Sequence, residues 1–150
     1  MMKNKNKLKQ IVLDSCVFNK LFLNESDSAS AIDYIEKINN EGYKILVPSL
    51  FLYEVLGVAE YYKYDTKEIY DLICEYESNN LQIINPDNAI IKHALEMTTK
   101  GHDKSGYPSF YDCVYHALAI QNNCDFITAD GKHYAKAKEF GNIKYLLDVK

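Results

Sequence analysis

The sequence predicts an α/β fold: a three-layer α/β/α sandwich around a central, mainly parallel sheet. Two observations predict it. Short apolar runs alternate along the chain with longer stretches whose apolar residues recur at helical spacing. Each short run is apolar throughout rather than at every second position, as befits a strand covered on both faces. Strands that take turns with helices are joined by crossovers, and crossovers make neighbouring strands parallel. At 150 residues the chain reads as one domain, 1–150, and can hide roughly 70% of its unfolded surface, enough for a real core.

The elements follow in order. QIVLDS is the first strand, an apolar run closed by polar residues. Helical patterns follow it, broken near Ser26-Asp27-Ser28, with Ile32, Ile35 and Ile38 on one face and Gly42 as the stop. KILVPS is the second strand, and Pro48 marks its end and a helix start. One helix runs from about Ser49 to Lys63, and a second from about Thr66 to Glu77 with Ile69, Leu72, Ile73 and Tyr76 inward. LQIIN is a third strand, after which Pro86 opens a helix through Leu95. KGHDKSGYP is the most loop-like stretch. Then come the helix SFYDCVYHALAIQNN, the strand DFITA, a short helix and a last strand, KYLLDV.

Composition narrows the function classes. With 47% hydrophobic and 25% charged residues, the chain is neither a disordered tail nor a fibre. No run of about 18 apolar residues is present, so nothing spans a membrane. The lysine-rich opening MMKNKNKLKQ resembles the charged end of a signal peptide, but Asp14 stops the apolar run behind it too early. A cytoplasmic location is expected. The net charge of -4 argues against a generic charge-driven nucleic-acid binder. All 17 basic residues are lysines, so no bidentate guanidinium is available for phosphate. The four cysteines, Cys16, Cys74, Cys113 and Cys124, make no CxxC pair and no zinc spacing, and read as reduced thiols. His116, in an apolar helical run, reads as a core or rim residue.

The chemistry lies in the carboxylates. Ligands of open parallel sheets sit outside the carboxyl ends of the strands. Asp14 ends the first strand and Asp130 ends DFITA. Asp112 lies early in the preceding helix, which runs away from that edge for ~16 Å before the strand returns over a similar length, so Asp112 and Asp130 reach one level. Glu54, in the helix after KILVPS, leans back toward the same edge. Singly, each has a plain explanation: Asp14 and Asp130 as helix caps, Asp112 as part of a capping box with Ser109, Glu54 as a lysine partner. Together, without arginine, they repel one another, and either their pKa values rise or cations bind. All-oxygen ligation suits Mg2+ or Mn2+, which would activate water and stabilise the leaving oxygen of a phosphodiester.

These residues resemble a PIN domain. The matching pieces are Ile11-Val12-Leu13-Asp14-Ser15, Val47-Pro48-Ser49-Leu50 with Glu54, Phe110-Tyr111-Asp112 followed by His116-Ala117-Leu118-Ala119, and Asp125-Phe126-Ile127-Thr128-Ala129-Asp130. The resemblance covers nearly the whole chain, with the TAD motif its most specific part. It implies a PIN-like fold and a Mg2+- or Mn2+-dependent endoribonuclease, nearest to toxins of the VapC type, which pair with an antitoxin and are commonly homodimers. It places the family's acidic quartet on Asp14, Glu54, Asp112 and Asp130, as catalytic residues and metal ligands, with Ser15 and Thr128 orienting ligands or water. RNA would be cut to a 5′-phosphate and a 3′-hydroxyl. The last motif departs from the family, continuing as Gly131-Lys132-His133-Tyr134 without a further acid; Lys132 and His133 either touch phosphate or form a solvated turn.

Other readings stay open. The arm AEYYKYDTKEIYDLICEYE is an antitoxin or dimer surface, an RNA-stacking patch (Tyr61, Tyr62 and Tyr64 with Lys63 and Lys67), or an ordinary half-buried helix pair. The alternative function is a non-catalytic PIN-like RNA-binding or scaffold module. A receiver-like phosphoacceptor lacks its acidic pair, since Ser15 and Cys16 follow Asp14, and no GxGxxG follows the first strand for a dinucleotide.

Overall fold

A computed structural model of the chain describes residues 8–149. Most of the lysine-rich opening stretch lies outside the described residues. The five strands are β1 (Gln10–Leu13), β2 (Lys44–Pro48), β3 (Leu81–Ile84), β4 (Asp125–Thr128) and β5 (Ile143–Tyr145). They form one sheet in the order β3-β2-β1-β4-β5, with every pairing parallel. The helices are α1 (Ser15–Phe18), α2 (Ser28–Asn40), α3 (Leu50–Tyr61), α4 (Thr66–Asn79), α5 (Asn88–Thr98), α6 (Phe110–Gln121) and α7 (Gly131–Ala137). The chain steps from β1 to β2 to β3, then returns past β1 to β4 and β5. Right-handed crossovers therefore put α1–α4 on one face and α5–α7 on the other. This is the three-layer sandwich expected. No helix among the described residues is long and apolar enough to cross a membrane.

The core fills both sides of the sheet. Val12, Leu13, Ile45, Val47, Phe126 and Ile127 are all buried, which is why these runs carry no polar alternation. On one side Phe18 meets Phe51 edge-on at 5.2 Å and Tyr76 at 5.4 Å. On the other, α6 buries seven consecutive residues, Cys113 to Ala119. Gly42 closes α2 as expected: its φ is +77°, Tyr43 N–H donates to Ile38 O at 2.9 Å, and Gly42 N–H donates to Asn39 O at 3.2 Å.

Two expectations need correction. Pro86 does not open α5; Asp87 caps it, accepting from Ile90 N–H at 2.9 Å, and the helix continues to Thr98. The last strand is not KYLLDV. β5 pairs only over Ile143–Tyr145, and Leu146–Asp148 turns in a 3-10 helix. A straight strand would send Leu146 and Leu147 to opposite faces. The turn instead buries Leu146 and leaves Leu147 outside, possible because β5 is an edge with one partner. KGHDKSGYP is a loop as expected, closed on itself by a bridge between His102 and Gly106, and His102 lies 3.8 Å from Glu139.

Candidate active site

The carboxyl ends of β1 and β4 lie side by side where the strand order reverses, the place at which open sheets bind ligands. Asp14 follows β1 directly. Its N–H donates to Ile127 O at 2.9 Å, and its Oδ1 caps α1 by accepting from Cys16 N–H at 3.4 Å. Its Oδ2 accepts from the Thr128 hydroxyl at 2.8 Å, and Thr128 is itself buried. Only 4% of Asp14 is exposed. Burial first, and then the charge of Asp112, push its pKa up to about 7, against the opposing hydrogen bonds from Thr128 and Cys16.

Glu54 reaches the same edge from α3. Its Oε1 accepts from the Tyr115 hydroxyl at 2.6 Å and from the Ser15 hydroxyl at 3.4 Å, while Ser15 stands 3.5 Å from Asp14 Oδ1. Burial raises the pKa of Glu54 and the charge of Asp112 adds to it; the two hydroxyls pull the other way. Asp112 sits in the first turn of α6. Ser109 caps that helix, its Oγ accepting from Asp112 N–H at 3.3 Å and donating to Asp112 Oδ2 at 2.8 Å. His133 Nδ1 lies 3.6 Å from the same oxygen.

Asp130 is the most exposed of the four. It is exposed, and its Oδ1 caps α7 by accepting from Lys132 N–H at 3.0 Å and His133 N–H at 3.2 Å. Its link to Asp14 runs through Thr128, whose Oγ1 accepts from Asp130 N–H at 3.0 Å. The structure thus brings Asp14, Glu54 and Asp112 together and holds Asp130 at the rim.

Every cap expected as the plain explanation is present, yet the caps use only part of each carboxylate. Glu54 Oε2, Asp112 Oδ1 and Asp130 Oδ2 take no hydrogen bond among the described residues. The lysine ion pairs lie elsewhere: Lys20 with Asp27 at 2.7 Å and Lys144 with Asp125 at 3.2 Å. Crowded acids without a cation and with oxygens to spare fit the donor chemistry of a hard divalent ion. The fit is electrostatic rather than preassembled, since among the described residues no three His, Cys, Asp or Glu side chains form a ready metal cluster.

His133 corrects the reading of the last motif. It neither forms a solvated turn nor offers itself to phosphate: it is buried, edge-on to Phe126 at 5.8 Å and to His116 at 6.1 Å. Both ring nitrogens lack a hydrogen bond. Burial lowers its pKa, while Asp112 and Asp130 oppose that. Lys132 remains exposed. His116 is a core residue as expected, its Nε2–H donating to Gly141 O at 2.6 Å. Tyr115 was missed. The signal for it was a tyrosine in a largely apolar helical run one turn after Asp112, whose hydroxyl had to find a partner.

The family model of the PIN domain matches residues 11–139. The chain belongs to the PIN domain family. Solved structures share this PIN fold end to end. A chain of a toxin–antitoxin complex from Klebsiella pneumoniae superposes with a TM-score of 0.66 at 15% identity, covering 93% of this chain and 99% of that one. A chain of VapBC2 from Rickettsia felis, bound to a DNA fragment from its promoter, gives 0.62 at 17% identity, covering 91% and 98%. FitAcB from Neisseria gonorrhoeae gives 0.62 at 16% identity, covering 93% and 99%. No curated protein matches this PIN domain by sequence.

Proposed function

We propose that this PIN domain is a Mg2+- or Mn2+-dependent endoribonuclease and the toxin of a toxin–antitoxin pair. One observation carries the nuclease reading: Asp14, Glu54 and Asp112 crowd the switch-point edge, burial and the charge of Asp112 raise the pKa of the first two, and among the described residues no lysine forms an ion pair with any of them. Such a cluster costs stability unless a cation or a proton relieves it. Asp14, Glu54 and Asp112, with Asp130 at the rim, would hold the cation. When bound, it supplies Lewis-acid chemistry, lowering the pKa of water and stabilising charge on a phosphodiester oxygen.

The chain's own residues do the rest. The Thr128 hydroxyl and the Cys16 N–H donate to different oxygens of Asp14 and orient its carboxylate at the edge. Ser109 does the same for Asp112. The toxin–antitoxin assemblies among the structural neighbours support an antitoxin partner. The exposed Tyr61, Tyr62 and Tyr70 on the α3–α4 hairpin are where it, or a second copy of the chain, would dock.

The test is cleavage of a mixed tRNA and mRNA pool with Mn2+, Mg2+ or EDTA, with Asp112→Asn alongside. Products that need the metal and vanish in the variant are expected. Well-folded protein that makes no product and binds no Mn2+ would instead support a non-catalytic module, in which the caps made by Asp14, Asp112 and Asp130 are the whole role of those residues.

A further inference from the structure

We propose that Tyr115 is a positioning residue: its hydroxyl holds one oxygen of Glu54 so that the other stays available to a cation. The proposal rests on the metal-dependent reading above. Tyr115 lies on α6 one turn after Asp112, and its ring is wholly buried. The ring stacks on Phe126 with centroids 5.6 Å apart and planes 17° apart, which fixes where the hydroxyl can be. That hydroxyl donates to Glu54 Oε1 at 2.6 Å, the length of a charge-assisted bond.

The contact matters because Glu54 has reason to leave. Its side chain has several rotatable bonds, and the charge of Asp112 presses on it. Left alone, it would lower its energy by swinging toward water. Tyr115 and Ser15 both donate to Oε1 and oppose that, while Oε2 takes no hydrogen bond among the described residues. A phenol is protonated at neutral pH, and a carboxylate oxygen only accepts, so Tyr115 is the donor. Helix α6 thus supplies Asp112 and also the strut on Glu54, which comes from the opposite layer. The spacing of two carboxylates from different layers is set by one rigid element.

A double-mutant cycle tests this: wild type, Tyr115→Phe, Glu54→Gln and the double variant, each titrated with Mn2+ by calorimetry and melted thermally. Tyr115→Phe removes one oxygen and keeps the stacked ring. It is expected to weaken Mn2+ binding by about 10-fold, the lower end for a residue that orients a ligand, and to have no further effect in the Glu54→Gln background. Equal losses in both backgrounds, no loss in either, or a Tyr115→Phe chain that does not fold would overturn the proposal. A folded wild type that binds no Mn2+ is a different result: it overturns the metal reading, and this one with it.

Discussion

Asp14 is buried with hydroxyls and an amide around it, and its acidity follows from that. Its pKa is about 7 in the fold against 3.8 in the open chain. Between those values the unfolded chain has released a proton that the folded one keeps, so stability falls as pH rises and the full penalty stands above about pH 7. Three pKa steps correspond to roughly 4 kcal/mol at most. His116 works in the opposite sense: burial lowers its pKa from 6.5 to about 4, so it loses stability as pH falls through that window. The two overlap, and only a difference isolates Asp14. In urea melts with EDTA, Asp14→Asn is expected to gain on wild type steadily from pH 4 to 8, by a few kcal/mol in all. A difference that stays flat across that range would show that Asp14 ionises freely. Asp112→Asn is expected to lose metal-dependent cleavage while folding as well as wild type or slightly better, because it removes the charge that presses on Asp14 and Glu54.

At the scale of elements, the α3–α4 hairpin divides into two faces. Ile69 and Ile73 are buried and Tyr76 packs on Phe18, so the inner face is ordinary core. Tyr61 is 77% exposed and touches Tyr62 at 4.9 Å, so the outer face carries aromatic surface with nothing beneath it to stabilise. Ile73→Ala should cost about 2–5 kcal/mol, and Tyr61→Ala no more than about 0.5 kcal/mol, both read from thermal melts. A large loss for Tyr61→Ala would make the outer face structural and remove it as a docking surface. The faces were legible in sequence, since Ile69, Leu72, Ile73 and Tyr76 recur at helical spacing. The end of β5 was not: KYLLDV reads as a strand on its own residues, yet after Tyr145 the chain turns, with Leu146 in the core and Leu147 exposed.

For the molecule as a whole, the acidic balance matters. The net charge is -4 and every basic residue is lysine. If RNA is the substrate, so acidic a chain would attract it weakly and release few counterions on binding it. In fluorescence anisotropy, RNA affinity of the cleavage-defective Asp112→Asn chain should change little with salt. A steep salt dependence would reveal a basic surface that the overall charge conceals. Topology makes the site itself: the reversal of strand order places the ends of β1 and β4 together, and helices of both layers bring carboxylates to that edge.

What the sequence determined by itself was local. Apolar runs without alternation placed β1 to β4, and Gly42 and Ser109 marked helix ends, because hydrophobic period and capping act within a few residues. Asp14 and Asp130 were legible as edge residues for the same reason. The tertiary structure decided what depends on distant neighbours. It set the strand order and left Asp130 the exposed member of the four acids. It turned His133 inward and brought the hydroxyl of Tyr115 to Glu54 across 61 positions of chain. A side chain's period says which face it lies on; only the packing of the other layer says what it meets there.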